Sequence, residues 1–294
     1  MGNDEAIQKL AKELDLNLEG IEIVNLRHPD EHERRERYAR ILAEKRQRDG
    51  YTFQEANDKM FERNYFGMMM VETGDADAFI TGLYTKYSNT IKVVNEVIGI
   101  RPEYKHFGTL HIINSPKGTL YVGDTLVNEN PDTDTLVDIA KLSATAVRFF
   151  NEKPVISMIS HSNFGSSQSD GAQKVRKAVE QMQREFPDLA IDGEMQIGFA
   201  LNRELRDEQY PFTRLKGKDV NTLVFPNLTS ARSSYKMLQM LDADVEIIGP
   251  IQMGLNKAIH FIDFGASVRD VVNIVAVAVI DAYVEKIKSR LKKN

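Results

Sequence analysis

Residues 155–186 read VISMISHSNFGSSQSDGAQKVRKAVEQMQREF. A short apolar run at 155–159 gives way to small polar residues. A segment follows whose apolar positions, among them Ala172, Val175, Val179 and Met182, recur at helical spacing. The pattern predicts a strand over 155–159, a loop, and a helix over 172–186. It returns downstream as a strand over 223–225, a helix over 230–241, a strand over 245–248 and a closing helix over 268–291. Strands alternating with helices imply parallel βαβ units with right-handed crossovers, and such sheets take ligands outside the carboxyl ends of their strands. No repeat of solenoid period is visible.

Towards the N-terminus the reading is a helix over 4–15 and a short strand at 21–24. A charge-laced helix over 30–48 follows, stopped by Gly50. Thr52-Phe53-Gln54-Glu55 is a capping box, in which hydroxyl and carboxylate satisfy first-turn N–H groups reciprocally. Residues 66–71, FGMMMV, are buried, but periodicity does not decide between strand and helix, and the methionines read as core filler. A strand is expected at 78–81, and Ser88 as the cap of a helix reaching Ile98. Residues 110–122 read as a hairpin, and Asp132 or Thr133 opens a helix ending near Phe150. His111 alternates within the hairpin and reads as a structural histidine.

The 294 residues carry a net charge of −5, with pI ≈ 5.8. That disfavours a broad nucleic-acid surface, because phosphate contacts need clustered Lys and Arg. Zero cysteines exclude disulfides, thiolate metal sites and cysteine nucleophiles. No apolar run approaches the roughly 18 residues of a membrane span. The N-terminus lacks a basic region followed by an apolar stretch, so it is no signal peptide. The expectation is a soluble cytoplasmic protein. No His, Asp or Glu spacing matches a metal site.

Three small-residue segments stand out. Ser160, Ser162, Asn163, Gly165 and Ser166 lie in a loop between strand and helix, where backbone N–H groups and hydroxyls suit an anion. An ordinary capped turn is the alternative reading. Residues 249–257, GPIQMGLNK, follow a strand in the same way. Gly249, Pro250, Gly254 and Lys257 are their candidates for a phosphate or a pantetheine chain, against a plain connection. The third segment, Asp263-Phe264-Gly265-Ala266-Ser267, precedes the last helix. Asp270 sits in that helix's first turn, where an acid fits the dipole without further function.

The ordered segments SHSNFGS (160–166), IDGEMQ (191–196), YPFTRLKG (210–217), LVFPN (223–227), GPIQMGLNK (249–257) and DVVN (270–273) resemble the phosphate acetyltransferase (phosphotransacetylase) family. Their wording, with NYF at 64–66 and GDAD at 74–77, is most similar to the C-terminal phosphotransacetylase-like domain of bacterial NADP-dependent malic enzymes. The resemblance implies an α/β, two-lobed fold of the isocitrate/isopropylmalate dehydrogenase kind, with parallel sheets and a cleft between lobes. Residues 1–104 would form the first lobe and 105–251 the second, with 252–294 returning to complete the first. It also implies a start inside the first lobe, N-terminally truncated relative to the family, without the preceding malic-enzyme module. NADP and a divalent metal would belong to that module alone.

Active members of the family transfer acetyl between CoA and phosphate. An aspartate serves as base, arginines hold phosphate and carbonyl oxygen, and a serine–arginine pair stands before the last helix. Carried over, Asp270 matches the base and Arg46 one substrate arginine. Lys92 replaces the second arginine, and Asp263-Phe264 replaces the serine–arginine pair. Arg to Lys loses the planar fork for phosphate. The second exchange removes a cation and adds an anion, each unit charge at ~4 Å being worth ~4 kcal/mol at an effective dielectric of ~20. Three readings follow. The first is an acetyl-CoA- or CoA-binding regulatory domain of a malic enzyme, with its own transfer lost. The second is a working phosphate acetyltransferase. The third is a structural dimerisation domain. The apolar last helix implies a dimer at least.

Overall fold

The computed structural model describes residues 1–291, which divide into two compact units. One unit comprises Met1–Gly99, Lys257–Ile259 and the last helix from Ala278; the other comprises Ile100–Asn256 and His260–Val277. No helix among the described residues is long and apolar enough to cross a membrane.

The first unit is mainly helical: α1 (Asp4–Glu13), α2 (His32–Arg46), α3 (Phe53–Lys59), α4 (Arg63–Thr73), a short strand β1 (Phe79–Thr81) and α5 (Tyr87–Val93). The capping box at Thr52 and Glu55 opens α3, and Gly50 closes the preceding turn at φ +81°. Residues 66–71 are helical. Both flanks of α4 are covered, with Phe66, Met68, Met69 and Val71 all buried, and this is why its residues showed no amphipathic period. Gly67 is required there, because a Cβ would stand 2.3 Å from the Phe79 ring. The strand expected at 21–24 does not form. These residues pair with no other strand, and only Val24 receives a backbone bond, from the Gly2 N–H. Ser88 is no cap either: it lies inside α5, which Lys86 precedes without a side-chain cap, and a π-helical turn, Val94–Ile98, continues it.

The second unit is built on one sheet: β2 (Gly108–Ser115), β3 (Gly118–Gly123), α6 (Thr133–Phe149), β4 (Val155–Ile159), α7 (Asp170–Glu185), β5 (Ala190–Met195), α8 (Ile197–Leu201), α9 (Arg203–Gln209), β6 (Thr222–Val224), α10 (Leu228–Leu241) and β7 (Glu246–Met253). Strand β8 (Ile259–Phe261) and helix α11 (Val268–Leu291) complete the chain. The strand order is β5-β4-β6-β3-β2-β7. The expected parallel βαβ units are present as β4, β5, β6 and β3, while the β2–β3 hairpin makes β2 the one antiparallel member of this sheet.

Alternation across the pleat separates two apolar layers. Ile156, Met158 and Val224 pack with Leu136, Ile139, Val175 and Met182 of α6 and α7. Val155, Ile159 and Leu223 pack with Ala231 and Tyr235 of α10 on the opposite face. Continuous burial of β4 on both faces follows from helices covering both sides.

The strand expected at 245–248 is longer than its apolar run suggested, continuing through Met253. Residues 249–253 are therefore ladder, not the loop that their Gly-Pro content implied. Gly249 and Pro250 together oppose His111, a one-residue bulge between the pairs Leu110–Ile251 and Ile112–Ile248. Gly249 has φ +141°, and a Cβ there would lie 2.8 Å from the His111 ring.

Candidate functional site

Strands β3, β4 and β6 run parallel, and their carboxyl ends place three loops on one edge of the second unit. The loop after β3 is organised by Asp124. Its carboxylate accepts from the N–H groups of Thr109 (2.9 Å), Leu126 (3.1 Å) and Asn128 (2.8 Å). The loop after β6 ends in Asn227, whose side chain caps α10 at the Ser230 N–H, 2.9 Å away.

The loop after β4 is the segment 160–166. Its donors turn inward. Glu194 of β5, fully buried, accepts from the Ser162 hydroxyl (3.0 Å), the Gly165 N–H (2.8 Å) and both the Nε (3.1 Å) and Nη2 (3.0 Å) of Arg176. Burial works to raise the carboxyl pKa of Glu194, but the Arg176 guanidinium and these donors outweigh it and hold the group below the ordinary glutamate value. Asn163 Oδ1 accepts from the Gln196 N–H at 2.8 Å, and Ser166 Oγ accepts from the Asn163 N–H at 3.0 Å. Ser160 is buried, with its N–H on the Met195 carbonyl at 2.9 Å. The hydroxyls and amides that composition offered to an anion are thus fastening the loop.

The same logic ties in residues 210–217. Asp192 accepts from the Thr213 hydroxyl (2.7 Å) and the Arg214 N–H (2.8 Å). Phe164 packs on Tyr210 and Phe212 at centroid distances of 4.9 and 5.0 Å. SHSNFGS, DGEMQ and YPFTRLKG are one mutually supported cluster.

The segment before α11 carries the charges. Asp263 Oδ1 accepts from the Phe264 N–H (2.9 Å), while Oδ2 meets Arg232 Nη2 at 3.2 Å and Lys236 Nζ at 4.0 Å, both from α10. Phe264 is exposed. Asp270 and Ser267 form a capping box for α11: Asp270 Oδ2 accepts from the Ser267 N–H (2.7 Å) and hydroxyl (2.9 Å), and the Asp270 N–H returns to the hydroxyl at 3.2 Å. Gly254, at φ +87°, has its carbonyl on the Arg101 N–H at 2.9 Å.

Arg46, Lys92 and Lys257 belong to the first unit. Arg46 donates to the backbone carbonyls of Asn95 and Glu96 (the latter 2.7 Å from Nε) and pairs with Asp49 at 3.2 Å. It thereby satisfies the carbonyl end of the turn that continues α5. Lys92 Nζ is 3.9 Å from the Glu96 carboxylate, which also accepts the hydroxyls of Tyr51 and Tyr65. Burial pushes the Tyr51 phenol up to about 12, and its bond to Glu96 adds to this. Arg46 and Lys92 therefore converge on one residue, Glu96.

Sequence reading missed Glu194, Asp192, Arg232 and Lys236. The last two carry a legible signal, two cations at i and i+4 in a helix capped by Asn227, but nothing local says what they face.

An α/β unit whose loops gather outside the carboxyl ends of its parallel strands is the arrangement in which open α/β sheets take their ligands. The family model for phosphate acetyl/butaryl transferase matches residues 1–279, and the chain belongs to that family. It is 36% identical over 277 residues to the NADP-dependent malic enzyme of Salmonella typhimurium, spanning 94% of this chain and only 36% of that protein. It is 32% identical over 289 residues to the phosphate acetyltransferase of Acetivibrio thermocellus, covering 96% of this chain and 85% of that protein. The solved EutD phosphotransacetylase from Staphylococcus aureus superposes with a TM-score of 0.81 at 28% identity, covering 97% of this chain and 84% of its own.

Proposed function

We propose that the chain is an acetyl-CoA-binding regulatory domain of a cytoplasmic malic enzyme, in which acetyl transfer has been lost. Asp263 carries this reading. It stands with Phe264 where the family resemblance expects a serine–arginine pair, and its carboxylate is directed at the two cations of α10. An anion there opposes an incoming acyl phosphate. The malic-enzyme relatives support the regulatory setting, since the chain aligns with about a third of their length. Oxidation of malate, with its NADP and divalent metal, would fall to a separate N-terminal module. Coupling requires acetyl-CoA to bind two states of the assembly unequally.

The test pairs calorimetry with a turnover assay. Acetyl-CoA or CoA should give saturable heat with the whole chain. Thioester formation from acetyl phosphate and CoA should stay far below the ordinary enzymatic range of roughly 1–1,000 per second. Lys257→Glu should weaken acetyl-CoA several-fold, and Lys92→Ala should change it little. No heat or thermal stabilisation at millimolar acetyl-CoA would remove the sensor reading and leave a dimerisation domain.

Ordinary turnover would instead establish the second reading, a working phosphate acetyltransferase. One observation favours that alternative: the Acetivibrio thermocellus relative is matched over most of its length. Asp270, standing where the resemblance places the family's base, agrees with it.

A further inference from the structure

Arg232 and Lys236 lie one turn apart on α10, so their side chains leave the same face. Both reach a single oxygen, Oδ2 of Asp263, at 3.2 and 4.0 Å. The carboxylate is held in place by its own backbone: the Phe264 N–H binds Oδ1, and the Ala266 N–H returns to the Asp263 carbonyl at 3.2 Å. Nearby Arg269 is paired elsewhere, with Glu246 at 2.8 Å. Lys236 also donates to Gln239 Oε1 at 3.2 Å and lies over the Tyr235 ring. Two cations thus face one fixed carboxylate. Their field is felt beneath them: after burial itself, Lys236 and Arg232 are what push the His111 imidazole down to about 3. All three charged side chains remain part-exposed, within reach of a solute.

We propose that Asp263 is the resident anion of a two-cation site made by Arg232 and Lys236, and that its carboxylate keeps inorganic phosphate and other small tetrahedral oxyanions off this cluster. Asp263 is then a specificity-determining residue. It blocks the small-anion partner of an acetyl transfer while leaving a larger thioester ligand free to bind elsewhere on the edge. The inference deepens the lost-transfer reading above, and its test is separable, because it uses phosphate and no CoA.

Sodium phosphate is titrated into the whole chain at matched ionic strength, followed by calorimetry and thermal stabilisation. Wild-type protein should show no saturable response in the millimolar range. Asp263→Asn keeps the shape and removes the charge, and it should bind phosphate at least tenfold more tightly. Arg232→Gln and Lys236→Gln added to that variant should abolish the gain. Asp263→Ser should reproduce the single-variant result. An unchanged phosphate response in both neutral variants would overturn the proposal, and so would a gain that survives loss of the two cations. If both neutral variants failed to fold, that too would overturn it, by making Asp263 a structural requirement. A gain in phosphate binding with no acetyl-CoA binding would keep this inference and remove the sensor reading.

Discussion

His111 is buried in β2, its Nδ1 2.6 Å from the Thr125 hydroxyl and its ring stacked on Tyr235 with centroids 4.3 Å apart. Burial, then Lys236 and Arg232, push its pKa from 6.5 down to about 3. The sign of the effect follows. Above 6.5 the ring is neutral in folded and unfolded chains alike, and it makes no pH-dependent contribution. As pH falls, the unfolded chain takes up the proton first, so stability declines by about 1.4 kcal/mol per pH unit until the folded ring titrates. His111→Gln should flatten the wild-type slope of unfolding free energy between roughly pH 6 and pH 4.5, above the carboxylate range. Parallel slopes in urea titrations of the two proteins would contradict the assignment. The sequence placed His111 correctly as a structural residue from its alternation. It held no sign that Gly249, read there as a ligand candidate, is the residue whose bare Cα lets β7 pass against the imidazole.

Loop 160–166 depends on the pairing of α7 with β5 through Arg176 and Glu194. Arg176→Ala would strand the Glu194 carboxylate in a fully buried position, at a cost of about 3–5 kcal/mol. A loss of unfolding free energy, read from urea titration, of less than a third of that would show that the loop relaxes and rehydrates the acid. Helices and strands with a clear period were legible here, and so were the caps at Thr52 and Asp132, because those signals lie within a few residues. Residues 21–24 misled because β-branched composition says nothing about a missing ladder partner. The loop at 160–166 misled for a related reason. Its polar small residues suit an external anion or an internal carboxylate equally well, and the carboxylate, Glu194, comes 32 positions after Ser162 and 29 after Gly165. The charge pair at Arg232 and Asp263 was invisible for the same cause, being a contact across 31 positions.

Helix α11 was expected to be buried on more than one side. Within a single chain it buries Ile274, Val277, Ala278 and Ala282 and exposes Val268, Val272, Val275, Val279 and Tyr283 at successive intervals of three or four. A repeating apolar stripe on a 24-residue helix is self-complementary when two copies lie antiparallel across a two-fold axis, the commonest symmetry of oligomers. A dimer through this stripe is the expected state. Light scattering at micromolar concentration should give about twice the 33.4 kDa chain mass, and Val275→Lys with Val279→Lys should return it to one chain. A wild-type chain of single mass would assign the stripe to some other contact. The acetyl-CoA titration belongs with this measurement, since regulation by an effector needs an assembly with more than one state.

The fastening of the edge loops has a consequence for the order of assembly. Glu194 closes a span back to Ser162, and Asp192 closes one forward to Thr213, so the two latches share strand β5 and reach in opposite directions along the chain. Neither latch can engage until β5 has paired beside β4, and each restrains tens of residues at a loop-closure cost that grows only slowly with length. Local collapse of residues 155–186, the stretch with the clearest pattern, therefore yields a strand and a helix joined by an unset loop. The loop after β4 can set only with Glu194 in place, and its union with residues 210–217 only with Thr213 and Arg214 in place, so the edge is built from contacts distant in sequence, the kind that slow folding.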